Sequence, residues 1–176
     1  PTRRSSDLRN QGLIVAANNP MQLHNLTDVA RAQARFVQRS QGTGTRVLLD
    51  DLLAQEGLSA DDLNNWTDEE PSHLALAEAV ASGRCDVGLG IESTARARGL
   101  GFVPLVQEHF HLVCLKSALD SPATQALRTH LKSNTWIQAL NQLQGYHADH
   151  SGEVQALNQQ LPWWTFKRTK KNHSPT

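Results

Sequence analysis

A segment rich in glycine and threonine, Ser40 to Thr45, separates a predicted strand over 35–39 from a predicted helix over 46–53. Such a turn exposes backbone N–H groups at the positive end of the helix dipole, which attracts anions. The hydroxyls of Thr43 and Thr45 can also donate hydrogen bonds, and two flanking arginines can add positive charge. The candidate ligand-binding residues in this segment are Arg39, Gly42, Thr43, Gly44, Thr45 and Arg46.

This loop lacks the residues that nucleotide-binding loops require. No Gly-Lys-Ser/Thr sequence follows it, and Val47 stands where the third glycine of a G-x-G-x-x-G motif would be. Nucleoside triphosphates and dinucleotides are therefore excluded as ligands of this loop. A tight strand-to-helix turn that binds nothing remains the alternative interpretation.

Two further segments place polar groups where a helix is predicted to begin. Ser72 is a natural N-cap for a helix over 74–81, and His73 follows it. Glu92 lies where a glycine-containing strand over 85–91 passes into a short helix over 93–98. We include Ser72, His73 and Glu92 among the candidate ligand-binding residues. A simple cap and a histidine that touches no ligand are the alternatives.

Other reactive side chains do not form a recognisable site. His109 and His111 share one face of a predicted strand but have no third ligand at suitable spacing, and His147 and His150 fall in a predicted loop. No Ser/His/Asp or Cys/His signature and no carboxylate pair is evident. We expect no enzymatic activity, no metal and no cofactor. Cys85 and Cys114 are interpreted as buried core residues rather than a disulfide.

Strands alternate with helices through the first two thirds of the chain, which predicts an α/β fold with a largely parallel sheet. Helices dominate afterwards. The predicted strands are 12–17, 35–39, 85–91, 102–105 and 108–115, and the later helices are 122–131 and 134–143. A loop is predicted around Trp66, and residues 151–161 show only weak patterning.

The chain has 176 residues, with 17 basic and 17 acidic side chains. This balance leaves no net charge that would attract nucleic acid or an anionic membrane, and no apolar run is long enough to cross a bilayer.

Residues 1–8 show no helical or strand period and look like translated adapter sequence, so residues 1–11 are predicted to be a non-native or linker segment. The basic tail, 167–176, is predicted to be disordered, and Trp163 and Trp164 to anchor the C-terminal region.

Three stretches resemble periplasmic-binding-protein-like domains. Residues 35–46, RFVQRSQGTGTR, are similar to the R-F-V-N-R-x-x-G-S-G-T-R segment of that family; residues 70–77 and 81–91 also resemble it. The resemblance implies a type 2 periplasmic-binding fold over 12–166, in which two α/β lobes close on a small ligand. It also implies that most of the first lobe is missing from this fragment.

Members of this family occur in bacterial helix-turn-helix regulators linked to molybdate or tungstate. The resemblance therefore implies the ligand-sensing domain of a cytoplasmic transcriptional regulator that binds a small oxyanion. It would contact DNA only through a missing N-terminal domain, would have no membrane partner, and could form a homodimer. The alternatives are the extracytoplasmic solute-binding component of an oxyanion importer and a domain fused to a molybdopterin-biosynthesis enzyme.

Overall fold

A computed structural model describes residues 3–156, with only the backbone described for residues 3–6 and 65–68. The predicted anchor at Trp163 and Trp164 and the predicted tail over 167–176 lie outside the described residues. The strands are β1 (Arg3–Val15), β2 (Arg35–Arg39), β3 (Asn64–Glu70), β4 (Val87–Ile91), β5 (Gly101–Cys114) and β6 (Tyr146–Ala156). The helices are α1 (Leu26–Arg31), α2 (Gly44–Gln55), α3 (His73–Ala81), α4 (Glu92–Ala97), α5 (Pro122–Leu131) and α6 (Asn134–Gln142).

The strands form one mixed six-stranded sheet in the order β3-β2-β4-β1-β5, with β6 also paired to β1. Strands β2, β3 and β4 run parallel to one another, whereas β1 is antiparallel to β4, β5 and β6. The prediction of a largely parallel sheet is therefore correct only for its β3-β2-β4 part. The antiparallel part arises because the long strands β1 and β5 pair along their whole length.

Helices cover both faces of the sheet. Phe36 of β2 packs in a cluster with Leu49 and Leu53 of α2, whereas its neighbour Val37 packs in a second cluster with Leu76 of α3. Successive strand residues point to opposite faces, so α2 and α3 must lie on opposite sides. Both clusters consist of nearly inaccessible side chains, and both contain residues of β1.

The described residues nearest the start of the chain belong to the sheet, within the range predicted from the sequence to be a non-native or linker segment. Residues 3–11 form most of β1, although they show no clear hydrophobic alternation, and their partner residues run from Val106 to Cys114 of β5. A register shift between Gln11 and Gly12 marks a bulge in this pair. Polar residues are held in β1 because strands pair with it on both edges, so pairing rather than side-chain pattern determines the structure. A non-native origin for residues 1–8 remains a prediction.

Three other expectations are corrected by strand pairing. The predicted loop around residue 66 is the edge strand β3, whose sequence NNWTDEE lacks apolar alternation but pairs in parallel with β2. The two strands predicted over 102–115 form one strand that continues through Pro104. His147 and His150 lie in β6 rather than in a loop.

Most of the helix predictions are confirmed. Helices α5 and α6 cover the predicted ranges to within a residue, and Ser72 caps α3 as expected. The two cysteines are not joined by a disulfide, and they differ in burial. Cys85 is buried, as predicted, whereas Cys114 is partly exposed because it ends β5 at the margin of the sheet.

Candidate functional site

Three helices begin at the same edge of the sheet. Strands β2, β3 and β4 are parallel, and α2, α3 and α4 follow directly after their carboxyl ends. The first N–H groups of each helix have no partner within that helix and carry a partial positive charge. Although α2 and α3 lie on opposite faces of the sheet, their amino ends therefore meet at this edge.

The predicted glycine-threonine turn forms the start of α2. Gly42 has a φ of 80°, a left-handed conformation that glycine adopts without steric cost. Thr43 is the N-cap: its hydroxyl accepts from the Arg46 N–H at 3.4 Å and donates to the Ser40 carbonyl at 2.8 Å. The Thr45 hydroxyl points inward, is nearly buried, and donates to Oε1 of Gln11 at 3.1 Å. Both hydroxyls thus have partners within the fold.

Arg39 lies against the turn that precedes α3. Its Nε donates to the Glu70 carbonyl at 3.0 Å and its Nη2 to the Pro71 carbonyl at 3.0 Å. These partners are uncharged, so the guanidinium keeps its positive charge close to the amino end of α3. Burial, together with the nearby charge of Arg9, lowers the pKa of Arg39 below its ordinary value. An anion beside Arg39 would offset both the burial of its charge and the effect of the Arg9 charge.

His73 is the first residue of α3 and lies close to both arginines. Burial lowers the pKa of its imidazole to about 4, and the positive charges of Arg39 and Arg9 contribute to the shift. Its Nδ1 is buried and finds no hydrogen-bond partner among residues 3–156. The imidazole is therefore neutral at pH 7, in a position that disfavours further positive charge and favours a negative ligand.

Arg9 belongs to a chain of side chains that sequence reasoning does not find. Its guanidinium forms an ion pair with Glu108, and Arg9 and Glu108 are directly opposite each other on β1 and β5. The second oxygen of Glu108 accepts from Nε2 of Gln11 at 2.7 Å, and Gln11 in turn accepts from Thr45. Arg9 and Gln11 fall in the segment predicted to be non-native or a linker. The only sequence signal is a run of polar residues leading into an apolar strand.

Glu92 makes structural contacts instead of pointing towards an open position. Its carboxylate accepts from Nδ2 of Asn10 at 2.9 Å and pairs with Arg96 at 3.1 Å. Glu92 also packs closely against Gly145: a Cβ added at Gly145 would lie 2.5 Å from the Cβ of Glu92. A carboxylate repels an anionic ligand, so Glu92 is better suited to joining α4, β1 and the turn before β6. Arg46 is similarly engaged, with Asp50 at 3.5 Å.

The structure thus brings Arg39, Thr43, Thr45, Ser72 and His73 to one edge of the sheet, and places Glu92 at the neighbouring strand end. Four cavities of about 160–420 Å³ in the described part of the chain are lined by other residues. The candidate site therefore consists of donors along an edge, separate from these cavities. No group of three His, Cys, Asp or Glu side chains among the described residues is placed to hold a metal ion.

A family comparison gives the class of this domain. The model of the PBP superfamily domain matches residues 8–132, so the chain belongs to the PBP superfamily. It is 33% identical over 147 residues to YvgK of Bacillus subtilis, an uncharacterized protein, and this match covers 84% of the chain. The chain spans 47% of the length of that relative. A protein of Clostridium pasteurianum encoded beside a ferredoxin gene is 29% identical over 109 residues, which are 61% of this chain and 96% of that protein.

Solved structures share the fold, which is the α/β, type 2 periplasmic-binding-protein-like fold. PEB3 bound to L-phospholactate aligns with a TM-score of 0.66 at 16% identity, over 84% of this chain and 68% of PEB3. A phosphate-bound putative transporter substrate-binding protein from Clostridium perfringens aligns at 0.64 and 14% identity, covering 84% and 72% of the two chains. The tungstate-binding protein TupA from Desulfovibrio alaskensis aligns at 0.59 and 15% identity, covering 85% and 70%. Within the described residues, none of the helices has the length and apolarity that a bilayer span requires.

Proposed function

We propose that this domain binds a small oxyanion at the edge where α2 and α3 begin. The observation that carries the proposal is the convergence of Arg39, Arg9 and the neutral His73 at the amino end of α3. Arg39 is bonded to backbone carbonyls rather than to a carboxylate, so its charge would attract an anion directly, whereas the charge of Arg9 is largely compensated by Glu108. Backbone N–H groups at the start of α2 and α3 would complete the donor set.

Molybdate or tungstate is the ligand that we propose first. Both are tetrahedral oxyanions that can accept hydrogen bonds on every side, which suits donors converging from two helices and two arginines. Tungstate is bound by TupA, and phosphate by the Clostridium perfringens protein, on the same fold. These likenesses support the ligand class, and the choice among oxyanions rests on the resemblance of residues 35–46, 70–77 and 81–91 to molybdate- and tungstate-linked regulators.

We further propose that the domain senses its ligand for a cytoplasmic transcriptional regulator and has no catalytic activity of its own. Lobe closure on the anion would shift the population of an attached DNA-binding domain, and such regulators commonly act as homodimers. An importer's solute-binding component and a domain fused to a molybdopterin-biosynthesis enzyme remain the alternatives. The intact coding sequence discriminates among them, because each requires a different preceding segment.

Isothermal titration calorimetry of the 176-residue chain tests the binding proposal. Molybdate, tungstate, phosphate and sulfate are titrated into the wild type and into Arg39→Gln. We expect binding of at least one oxyanion and a loss of affinity of about tenfold to a hundredfold in the variant, since a charge-assisted hydrogen bond contributes about 1.5–3 kcal/mol.

Arg98→Gln is the matched control. Arg98 is an exposed arginine that pairs with Glu78, away from the candidate site, and its loss should leave the affinity unchanged. Absence of binding by all four anions to the folded wild type would overturn the proposal. An equal loss in the Arg39 and Arg98 variants would show that the anion binds elsewhere.

A further inference from the structure

The pairing of Arg9 with Glu108 has a consequence for the charge of the ligand. Both side chains are partly buried, with exposed fractions of 18% and 29%. Glu108 engages Nε and Nη2 of Arg9. The pair is therefore close to neutral as a unit, although it lies among the cationic groups of the proposed site.

Gln11 holds the Glu108 carboxylate in this position. It is only 1% exposed, and its amide oxygen is occupied by the Thr45 hydroxyl at 3.1 Å. The ionised Glu108 carboxylate can only accept, so Nε2 of Gln11 must point to it, at 2.7 Å, and the amide oxygen is left to accept from Thr45. An inverted amide would place two acceptor oxygens together at the Glu108 side, with no hydrogen between them.

The net charge around the proposed site follows from these contacts. Arg39 donates to two backbone carbonyls and retains its full positive charge, whereas Arg9 is compensated by Glu108. The three groups together present one positive charge. Without Glu108 they would present two.

We propose that Glu108 determines the ligand charge that the site prefers, by holding Arg9 in a neutral pair at the edge where the anion binds. This inference rests on the proposed oxyanion-binding function. Each negative charge on the ligand interacts unfavourably with the Glu108 carboxylate, so a dianion is disfavoured more than a monoanion of the same shape. Glu108 is a specificity-determining residue that acts through the local field and through Arg9.

Tungstate and perrhenate provide the test, since both are tetrahedral oxyanions and they differ by one unit of charge. Their affinities are measured by calorimetry for the wild type and for Glu108→Gln, which keeps the shape of the side chain. We expect the tungstate-to-perrhenate affinity ratio to rise about tenfold in the variant, the order expected for removing one partly screened charge a few ångströms away. Glu78→Gln, which removes a carboxylate from an exposed pair with Arg98, is the matched control and should leave the ratio unchanged.

A second variant keeps the inference testable if Glu108→Gln folds poorly. Arg9→Gln leaves Glu108 uncompensated and should lower the same ratio, whereas the double variant restores the net charge and should return the ratio towards that of the wild type. An unchanged ratio in both single variants would overturn the inference and leave the proposed function intact. Failure of the wild type to bind both tungstate and perrhenate would overturn the inference, and the proposed function would fall with it only if molybdate, phosphate and sulfate also failed to bind.

Discussion

His73, in the proposed site, should make the free energy of unfolding depend on pH. The pKa of its imidazole is about 4 in the folded chain, because burial and two neighbouring guanidinium groups disfavour the imidazolium, against an ordinary value of 6.5. Between these two values the unfolded chain binds the proton and the folded chain does not. The free energy of unfolding therefore falls as the pH decreases from 6.5 towards 4.

Urea unfolding at several pH values between about 7.5 and 4 checks this prediction. The wild type should lose stability over this interval, and His73→Gln should lose less because the substituted side chain does not titrate. His24→Gln, at an exposed histidine, is the control and should retain the slope of the wild type. A slope that is identical in all three proteins would show that His73 is not shielded from protonation.

His73 also shows that the sequence alone predicts where the candidate donors lie along the chain, but not the charges that surround them in the fold. Its position at the start of a capped helix is readable, since Ser72 precedes an uninterrupted run of helix-forming residues. The two arginines beside it come from β1 and β2, which are distant in sequence. Their proximity depends on sheet order, and sheet order follows from long-range pairing that no local pattern encodes.

The elements differ in how far their own sequences specify them. Helices α5 and α6 each have a serine N-cap and the apolar spacing of an amphipathic helix, and both are predicted to within a residue. Strand β3 and the first part of β1 have no such pattern. They form because neighbouring strands offer backbone hydrogen bonds, so their sequences need only be compatible with pairing. Arg9 and Gln11 escape sequence-based prediction for this reason.

All five residues of strand β4 are buried, and Gly88 is the position where its close packing against β2 can be tested. A Cβ at this position would lie 2.7 Å from Cγ1 of Val37 and 2.8 Å from the Val37 carbonyl oxygen. Because the backbone of β2 cannot retreat without breaking the parallel pair, we expect Gly88→Ala to reduce the free energy of unfolding by about 1–3 kcal/mol. Chemical denaturation measures the loss.

Gly44→Ala is the control for that experiment. Gly44 is the first residue of α2, a Cβ there would meet nothing within 4 Å, and its φ is not positive. Alanine also favours the helix, so this variant should be at least as stable as the wild type. Equal stability of the Gly88 and Gly44 variants would mean that β2 and α3 can move away from β4, and that the close approach does not limit the packing.

The described residues form two parts that share the long strands β1 and β5. The larger part contains β2, β3 and β4 with their helices, and the smaller part contains β6, α5 and α6. Residues 11–15 of β1 pair with β4, and residues 3–9 pair with β6, while β5 follows β1 along both parts. Helices α5 and α6 pack against β6. The bulge at Gln11 and Gly12, and the Arg9–Glu108 pair beside it, lie where the two parts meet. The proposed anion site and the junction between the two parts therefore share residues.

The contact between Gly145 and Glu92 is a second connection between these parts, and it can be removed separately. The Gly145 carbonyl accepts from the Asn10 N–H at 2.8 Å, and Nδ2 of Asn10 donates to Glu92. Gly145 has a φ of 82°, and a Cβ there would lie 2.5 Å from the Cβ of Glu92. We expect Gly145→Val to separate the turn before β6 from α4, with faster amide hydrogen exchange in residues 146–156 and unchanged protection in α2 and β2.

Gly57→Val is the control that distinguishes a collision with Glu92 from backbone strain, the two possible causes of faster exchange in the Gly145 variant. Gly57 has a φ of 70° and a Cβ added there would meet nothing within 4 Å, so valine introduces backbone strain without a collision. If the collision with Glu92 matters, exchange in β6 rises only in the Gly145 variant. If exchange in β6 is unchanged there, strand pairing and the helices packed on β6 hold the smaller part, and the Asn10–Glu92 contact serves only to place α4.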